Sequence, residues 1–151
     1  MRPLNIVATA ALGISLAGSA FGAVAIRPAT AVAYRQGLYR AILWNFVPMS
    51  EMVRGRLAWN HQGFAQRAGN VAFYSTQLLE GFTPGSITAR SEAKPEIWRN
   101  WADFSAKMKN FEDASAKLAE ISRNGNESAT KQAFRQVAMT CKACHDHYRR
   151  N

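Results

Sequence analysis

The chain has few acidic residues, few prolines and only two cysteines, and each scarcity narrows what the protein can be. Its 151 residues hold 10 Asp and Glu against 19 Lys and Arg, which gives a formal net charge of +9. The 5 prolines do not cluster, so no proline-rich linker is predicted. Beyond the N-terminal segment, no run of about 18 apolar residues predicts a membrane-spanning helix. The length and the 48% hydrophobic content indicate one globular domain.

The first 25 residues have the pattern of a secretory signal peptide. A positively charged start is followed by an apolar run over residues 4–21, and Ala23-Val24-Ala25 fits a cleavage site. We therefore expect a periplasmic location and a mature domain over residues 26–151; an uncleaved membrane anchor is the alternative. Export argues against nucleic acid as a partner, and the dispersed basic residues are interpreted mainly as solvated helix faces.

Four stretches of the mature chain carry the apolar spacing of amphipathic helices, and none convincingly predicts a strand. The first covers about residues 30–56 and contains Pro48, where we expect a kink or a local break. One apolar stripe runs along it through Arg35, Tyr39, Ile42, Phe46, Met49 and Val53. Asn60 is a plausible N-cap for the second helix, which is predicted to end near Glu80.

Two further helices follow a loop predicted over residues 81–94. Pro95 suits the first turn of the third helix, whose stripe is Ile97, Trp101, Phe104, Met108, Phe111 and Leu118. Asn124-Gly125-Asn126 predicts its end, and the fourth helix runs from about Glu127 to near the C-terminus. Four such helices predict an all-α, antiparallel four-helix bundle with up-down-up-down topology. The 81–94 connection is unusually long, and long loops are often functional.

The last predicted helix carries the motif Cys141-Lys142-Ala143-Cys144-His145. Two thiols at this spacing can add to the two vinyl groups of a haem, and the adjacent histidine can bind its iron. Helical spacing places Cys141 and His145 on one face, and both cysteines lie on the apolar stripe. We therefore predict one covalent haem c in the bundle core, with His145 as the axial ligand of the iron.

Other uses of these residues fit the sequence less well. A redox disulfide usually occurs in a βαβ context, which this helical pattern lacks. A structural zinc site needs four ligands, and the chain has only 2 cysteines. His147 is two positions from His145 and points elsewhere on a helix, so it is interpreted as solvated. His61 stands alone near a predicted helix start and is given no functional role.

With this C-terminal motif, the chain resembles the cytochrome c′ family, the class II cytochromes c. The resemblance covers about residues 32–149. It is carried by the run Cys-Lys-Ala-Cys-His-Asp-His-Tyr-Arg and supported by Tyr34-Arg35-Gln36, Glu80-Gly81-Phe82 and Ala93-Lys94-Pro95-Glu96-Ile97-Trp98. It implies a four-helix bundle, a homodimer packed through its first two helices, a periplasmic location and a five-coordinate, high-spin haem.

The resemblance also implies roles for residues around the haem. Arg35 and Gln36 contact the propionate side, Ser91 and Glu92 contact the haem edge, and Arg149 lies beside the proximal face near the iron ligand. An arginine suits an anionic propionate because the two form charge-assisted hydrogen bonds. For Arg149 the alternative role is that of a cation near a helix C-terminus.

Tyr39 occupies the position where low-spin relatives in this class place a methionine, four residues after Arg35. A tyrosine can bind iron as phenolate, but a reference pKa of about 10 makes that form costly. A steric cap that leaves the iron open is therefore the favoured role. Arg40 is expected to face solvent. The remaining methionines lie far along the first helix or have core spacing, namely Met49, Met52, Met108 and Met139.

An open iron under a crowded apolar cap predicts binding of NO and CO, and the resemblance implies protection against nitrosative stress. Electron transfer with a redox protein is the alternative function. It is less favoured, because an electron carrier usually keeps the same iron coordination through the redox cycle and no methionine ligand for the iron is apparent. An enzyme is disfavoured, since no distal His/Arg pair can be identified, and no catalytic residue is assigned. The prediction of a homodimer depends on the resemblance alone. Trp44, Phe46 and Trp59 could form the contact between subunits, although aromatic residues of this kind more often lie in the core.

Overall fold

The computed structural model describes residues 26–150 and consists of helices joined by turns and loops. Its α-helices, in chain order, are α1 Pro28–Val53, α2 His61–Ser75, α3 Glu96–Arg99, α4 Trp101–Arg123 and α5 Glu127–Tyr148. The four long helices form the predicted bundle, in which α1 packs on α2, α2 on α4 and α4 on α5. Within residues 26–150, every helix is too short or too polar to cross a lipid bilayer. The predicted signal segment, 1–25, lies outside the described residues.

Two predicted helix boundaries were wrong. α2 ends at Ser75, and the chain then turns through a 3₁₀ segment, Leu79–Gly81. The predicted third helix is interrupted at Asn100, so α3 is a single turn and α4 begins one residue later. The indole N–H of Trp98 donates to the Thr83 carbonyl oxygen at 3.1 Å, which ties α3 to the preceding loop, while Ile97 of α3 packs into the core.

The predicted cap at Asn60 is confirmed by a hydrogen bond at the start of α2, and a second cap, which was not predicted, occurs at the start of α5. Asn60 Oδ1 accepts from the Gly63 amide at 2.8 Å at the start of α2. Asn126 begins α5 in the same way, with a bond from the Ala129 amide at 2.9 Å. Gly125 lies between α4 and α5 with a φ of +76°, a conformation that glycine adopts without a Cβ clash. Local signals of this kind end α4 and begin α5 at the turn between them.

The apolar stripes meet in one core, and two side chains depart from the predicted pattern. The rings of Phe46 and Phe134 stack at 4.5 Å, so the α1 and α5 stripes touch directly. Burying such a side chain contributes about 1.5–3 kcal/mol. Trp101, however, is 40% exposed and Met139 is 57% exposed, so their predicted core positions were wrong. The largest fully buried side chains are Phe64, Phe104, Met49, Leu78, Ile97 and Leu118.

α1 continues through Pro48, so of the predicted kink or local break the break does not occur. Proline has no N–H, so the carbonyl oxygen of Trp44 loses the donor that an ordinary residue four positions later would supply. Arg67 of α2 provides a replacement, because its Nη1 donates to that oxygen at 3.3 Å. A contact between two helices therefore compensates for a proline that would otherwise weaken the first of them.

We predict that Arg67→Ala lowers the free energy of unfolding by about 1 kcal/mol, because the Trp44 carbonyl oxygen loses its donor. Pro48→Ala restores the backbone N–H at position 48, so Arg67→Ala should cost less in that background. Denaturant unfolding of the parent, both single variants and the double variant measures this coupling. Gln66→Ala, an exposed neighbour of Arg67, is the control. Strict additivity of the two substitutions would contradict the compensation.

Candidate functional site

A cavity of about 420 Å³ lies between α1, α4 and α5, in the half of the bundle where α1 begins and α5 ends. This size is within the range of sites for small molecules and cofactors. The helix pairings link α1 to α2, α2 to α4 and α4 to α5, whereas α1 and α5 pair little, so the space separates α1 from α5. Most of its wall is apolar: Ile42, Leu43, Phe46, Leu78, Phe82, Ala93, Ile97, Phe104, Met108 and Phe111.

Every side chain that the sequence analysis assigned to the cofactor lines this one cavity. The helix α1 contributes three of them, the loop before α3 two, α5 three, and the residue after α5 one. They are Arg35, Gln36, Tyr39, Ser91, Glu92, Cys141, Cys144, His145 and Arg149. Their convergence depends on the fold, because the three segments that carry them are far apart in the chain.

The two cysteines face the cavity as half-buried free thiols. Burial raises the pKa of Cys141 to about 11, and burial likewise raises the pKa of Cys144 to about 11. Both are therefore neutral thiols at pH 7. Across residues 26–150, no group of three or more His, Cys, Asp and Glu side chains could hold a metal ion. The zinc alternative thus finds no set of ligands within that part of the chain.

His145 lies one residue beyond Cys144 on the cavity side of α5. Burial lowers the pKa of His145 below its usual value, and the positive charge of Arg149 acts in the same direction, against Asp146 and Glu92. The imidazole is therefore neutral at pH 7, the form that binds a metal. His147 is exposed and does not line the cavity, as predicted.

The segment around Glu92 is fastened to the C-terminal end of α5. Arg149 Nε lies 2.8 Å from Glu92 Oε2, and the backbones of Ala93 and Arg149 form an antiparallel bridge. The Arg150 amide donates to the Glu92 carbonyl oxygen at 2.7 Å. An exposed ion pair alone contributes about 0–1 kcal/mol, so the backbone pairing is the stronger restraint. It holds one wall of the cavity next to His145.

Arg35 is buried and binds the loop that closes the cavity. Its Nη1 donates to the Gly81 carbonyl oxygen and to Ser86 Oγ, both at 2.8 Å. Its Nη2 donates to the Ser86 carbonyl oxygen at 2.6 Å and to Ser91 Oγ at 2.8 Å. These four bonds leave only Nε–H of the five guanidinium donors for a carboxylate of a cofactor. Sequence analysis missed Ser86, because its role appears only when the loop reaches α1.

Three further contacts hold the same loop against α1. The guanidinium carbon of Arg35 lies 4.6 Å from the centre of the Phe82 ring, a cation–π contact. A Cβ at Gly81 would come within 2.9 Å of Arg35 Cβ, so only glycine permits this approach. Gln36 Nε2 donates to the Arg90 carbonyl oxygen at 2.8 Å. The loop conformation is therefore set by the first turns of α1.

Tyr39 lies on α1, across the cavity from the helix that carries the cysteines, and packs against the core. Burial raises its pKa above the usual value. The phenol therefore keeps its proton at neutral pH, which disfavours the phenolate alternative. Among the methionines, Met108 lines the cavity, whereas Met49 and Met52 are buried away from it. Arg40 is exposed, as expected, and lies at the cavity mouth.

These surroundings fit a haem. The macrocycle is broad and apolar, and so are the cavity walls; the two thiols lie on one side, where vinyl groups could reach them. The carboxylates of a haem need cations or water, and Arg40, Lys107 and Arg149 are among the lining residues. The chemistry of the donor set therefore agrees with the cofactor predicted from the motif.

Comparison with known proteins gives the same result. Residues 30–149 match the sequence profile of the family described as Cytochrome C′. The cytochrome c′ of Halomonas halodenitrificans is 31% identical over 128 residues, which cover 81% of this chain and 97% of that protein. The structure of cytochrome c prime from Shewanella frigidimarina has a TM-score of 0.81 and 38% identity, over 83% of this chain and 98% of that chain.

Two structures from Alcaligenes xylosoxidans carry gas ligands. One is a nitric oxide complex of a cytochrome c prime mutant, and the other is a carbon-monoxide-bound variant. Each has a TM-score of 0.77 and 30% identity and covers 83% of this chain, with 97% and 98% of those chains matched. Profile, relatives, bundle and C-terminal motif agree, and the chain therefore belongs to the cytochrome c′ family.

Proposed function

We propose that this cytochrome c′ binds NO and CO at an open coordination site and protects against nitrosative stress in the periplasm. The family consists of non-enzymatic haem proteins and implies covalent haem c, for which the chain has the required motif. In the proposal, one haem is attached through Cys141 and Cys144, with His145 bound to the iron. When bound, the haem supplies the iron atom to which a diatomic gas coordinates.

The position of Tyr39 carries the proposal. Its ring lines the cavity from the helix opposite His145, and burial keeps the phenol neutral. A neutral phenol is a poor iron ligand, so the ring would cover the iron of a bound haem without coordinating to it. Phe46 and Leu43 line the same wall of α1 and keep the space apolar. Such a space admits small uncharged gases more readily than anions, because an unpaired charge is costly to bury.

Other residues serve to hold the cofactor in this proposal. Arg35 retains Nε–H for the propionate side, and Gln36 lies beside it on the same turn of α1. Ser91 and Glu92 stand at the edge of the cavity, and Arg149 lies near His145. Export is proposed from the segment 1–25, with 26–151 as the mature haem domain. No partnership with nucleic acid or stable membrane insertion is proposed for the mature chain.

Electron transfer is the second candidate function, and one observation favours it. Met108 lines the cavity, and its thioether could serve as a second iron ligand. A six-coordinate iron would suit an electron carrier better than a gas-binding protein. Against this, Met108 lies on α4, which packs directly against α5, and it belongs to the buried core.

We predict that the motif residues separate attachment from ligation. Cys141→Ala combined with Cys144→Ala should abolish the haem that stays with the chain in a denaturing gel, because both thioether bonds are lost. His145→Ala should retain covalent haem but change the visible absorption spectrum, since the iron loses its protein ligand. His147→Ala, an exposed residue of the same helix, is the matched control and should match the parent. Equal effects of the two histidine substitutions would contradict the assignment.

We predict that the ferrous protein has a broad, high-spin spectrum that changes at once with CO or NO. Tyr39→Ala should raise the CO association rate by about tenfold or more, equivalent to 1.4 kcal/mol, because the covering ring is removed. Tyr39→Phe keeps the ring and should stay within about twofold of the parent. A sharp low-spin spectrum unmoved by CO, but converted to high spin by Met108→Leu, would instead favour electron transfer.

We also propose a homodimer through α1 and α2, as the family resemblance implies. Trp44 is 77% exposed and Phe73 is 65% exposed, and Leu43 and Val47 add exposed apolar area on α1. Apolar patches of this kind often mark contacts between proteins. Phe46 and Trp59, the other aromatic candidates, pack on the core instead.

For the dimer we predict that Trp44→Glu shifts the protein from dimer to monomer, because it places a charge in an apolar contact. Analytical ultracentrifugation across a concentration series measures the dissociation constant. Met139→Glu, an equally drastic change at an exposed position of α5, is the control and should leave it unchanged. A parent protein that sediments as a monomer at all concentrations would refute the dimer.

A further inference from the structure

The excess positive charge of this protein comes from basic residues that do not take part in its ion pairs. All 10 acidic residues of the chain have a partner. Glu80 accepts a hydrogen bond from Tyr34, and the other acidic side chains form ion pairs, mostly with a lysine or arginine within five residues. Within residues 26–150, the net positive charge therefore resides on the basic residues that lack an acidic partner.

Four of these unpaired cations surround the cavity mouth. Arg40 lines the mouth itself, and Arg90 lies beside it because its carbonyl oxygen accepts from Gln36. Lys94 and Arg150 belong to the two backbone segments that pair at the end of α5, where the Lys94 amide donates to the Tyr148 carbonyl oxygen and the Arg150 amide to that of Glu92. We name Arg40, Arg90, Lys94 and Arg150 the cationic rim. The acid among them, Glu92, is already neutralised by Arg149 at 2.8 Å.

We propose that the cationic rim docks an acidic electron-transfer protein, which reduces the iron of the haem. This inference rests on the proposed function, since CO binds ferrous rather than ferric iron. One electron leaves the partner, which is oxidised, and ferric iron becomes ferrous; no bond is made or broken. Opposite charges around the entrance raise the association rate and orient the partner. The site of docking coincides with the opening of the cavity, so the distance for the electron is short.

An acidic protein fits the rim better than an anionic membrane does. Membrane-surface binding combines cations with apolar side chains that enter the lipid. Residues 90–94 and 145–150 contain none of the exposed large apolar side chains, and of those side chains only Leu43, near Arg40, lines the cavity. The backbone of residues 92–94 is paired with that of residues 148–150, so this surface is rigid as well as polar. These features are typical of a transient contact between charged proteins.

The test compares two variants of equal net charge. Arg90→Gln with Lys94→Gln removes two rim cations that do not line the cavity. Arg54→Gln with Arg123→Gln removes two unpaired cations at the C-terminal ends of α1 and α4, away from the cavity. The probe is flavodoxin, a small acidic electron-transfer protein, titrated into each holoprotein at low ionic strength. Isothermal titration calorimetry measures the dissociation constant, and CO spectra are recorded in parallel.

We expect the parent to bind flavodoxin and to lose affinity as salt is added. The rim variant should bind about 3- to 10-fold more weakly, and the distal variant should stay within about twofold of the parent. An equal loss of affinity for flavodoxin in both variants, or no loss in either, would overturn the proposal that the cationic rim is the docking surface. Binding of the parent to phosphatidylglycerol vesicles but not to flavodoxin would also overturn it. Failure of the CO response with flavodoxin binding intact would count against the proposed gas binding, not against the docking surface.

Discussion

A buried guanidinium organises this molecule. Removing a charge from water costs several kcal/mol unless hydrogen bonds replace the water. Arg35 meets that requirement only by gathering Gly81, Ser86 and Ser91 around its two terminal nitrogens. The loop between α2 and α3 must therefore fold against α1 in one way. Because that loop also carries Glu92 and leads into α3, the closure of the cavity follows from the same set of bonds.

The second constraint is that one helical stripe serves two purposes. In its first turns α5 packs Phe134 and Val137 into the core, and in its last turns the same face presents Cys141 and Cys144 to the cavity. The bundle is thus stabilised at one end and open at the other. Such a division lets a small domain hold a large cofactor without losing the contacts that keep its helices together.

Charge and protonation then select what the site can do. His145 is neutral and able to bind a metal, and Tyr39 keeps its proton and so covers the cavity as a neutral ring. The acidic side chains all have a partner, and four of the cations without one surround the mouth of the cavity. An apolar interior suits uncharged gases, whereas a cationic exterior suits an acidic protein. The two proposals therefore concern different parts of one site and do not compete.

The sequence alone determined the features that arise from neighbouring residues. Helical period placed the four stripes, Asn60 marked the start of α2, and the spacing from Cys141 to His145 predicted the cofactor, because each depends on atoms within a few positions of one another. The residues that the resemblance and the motif named all line one cavity. The resemblance did not show that Arg35 uses four of its five N–H donors to bind the loop, since those partners lie far along the chain.

Only the tertiary structure decided the rest, because the deciding contacts are nonlocal. The break at Asn100 follows the bond from Trp98 to Thr83, and nothing in the helical period of α4 announces it. Trp101 and Met139 have core spacing, yet no neighbouring element covers them. Pro48 is tolerated because another helix supplies Arg67. In each case the chemistry of the side chain was evident, but its partner was set by how the helices fold back on one another.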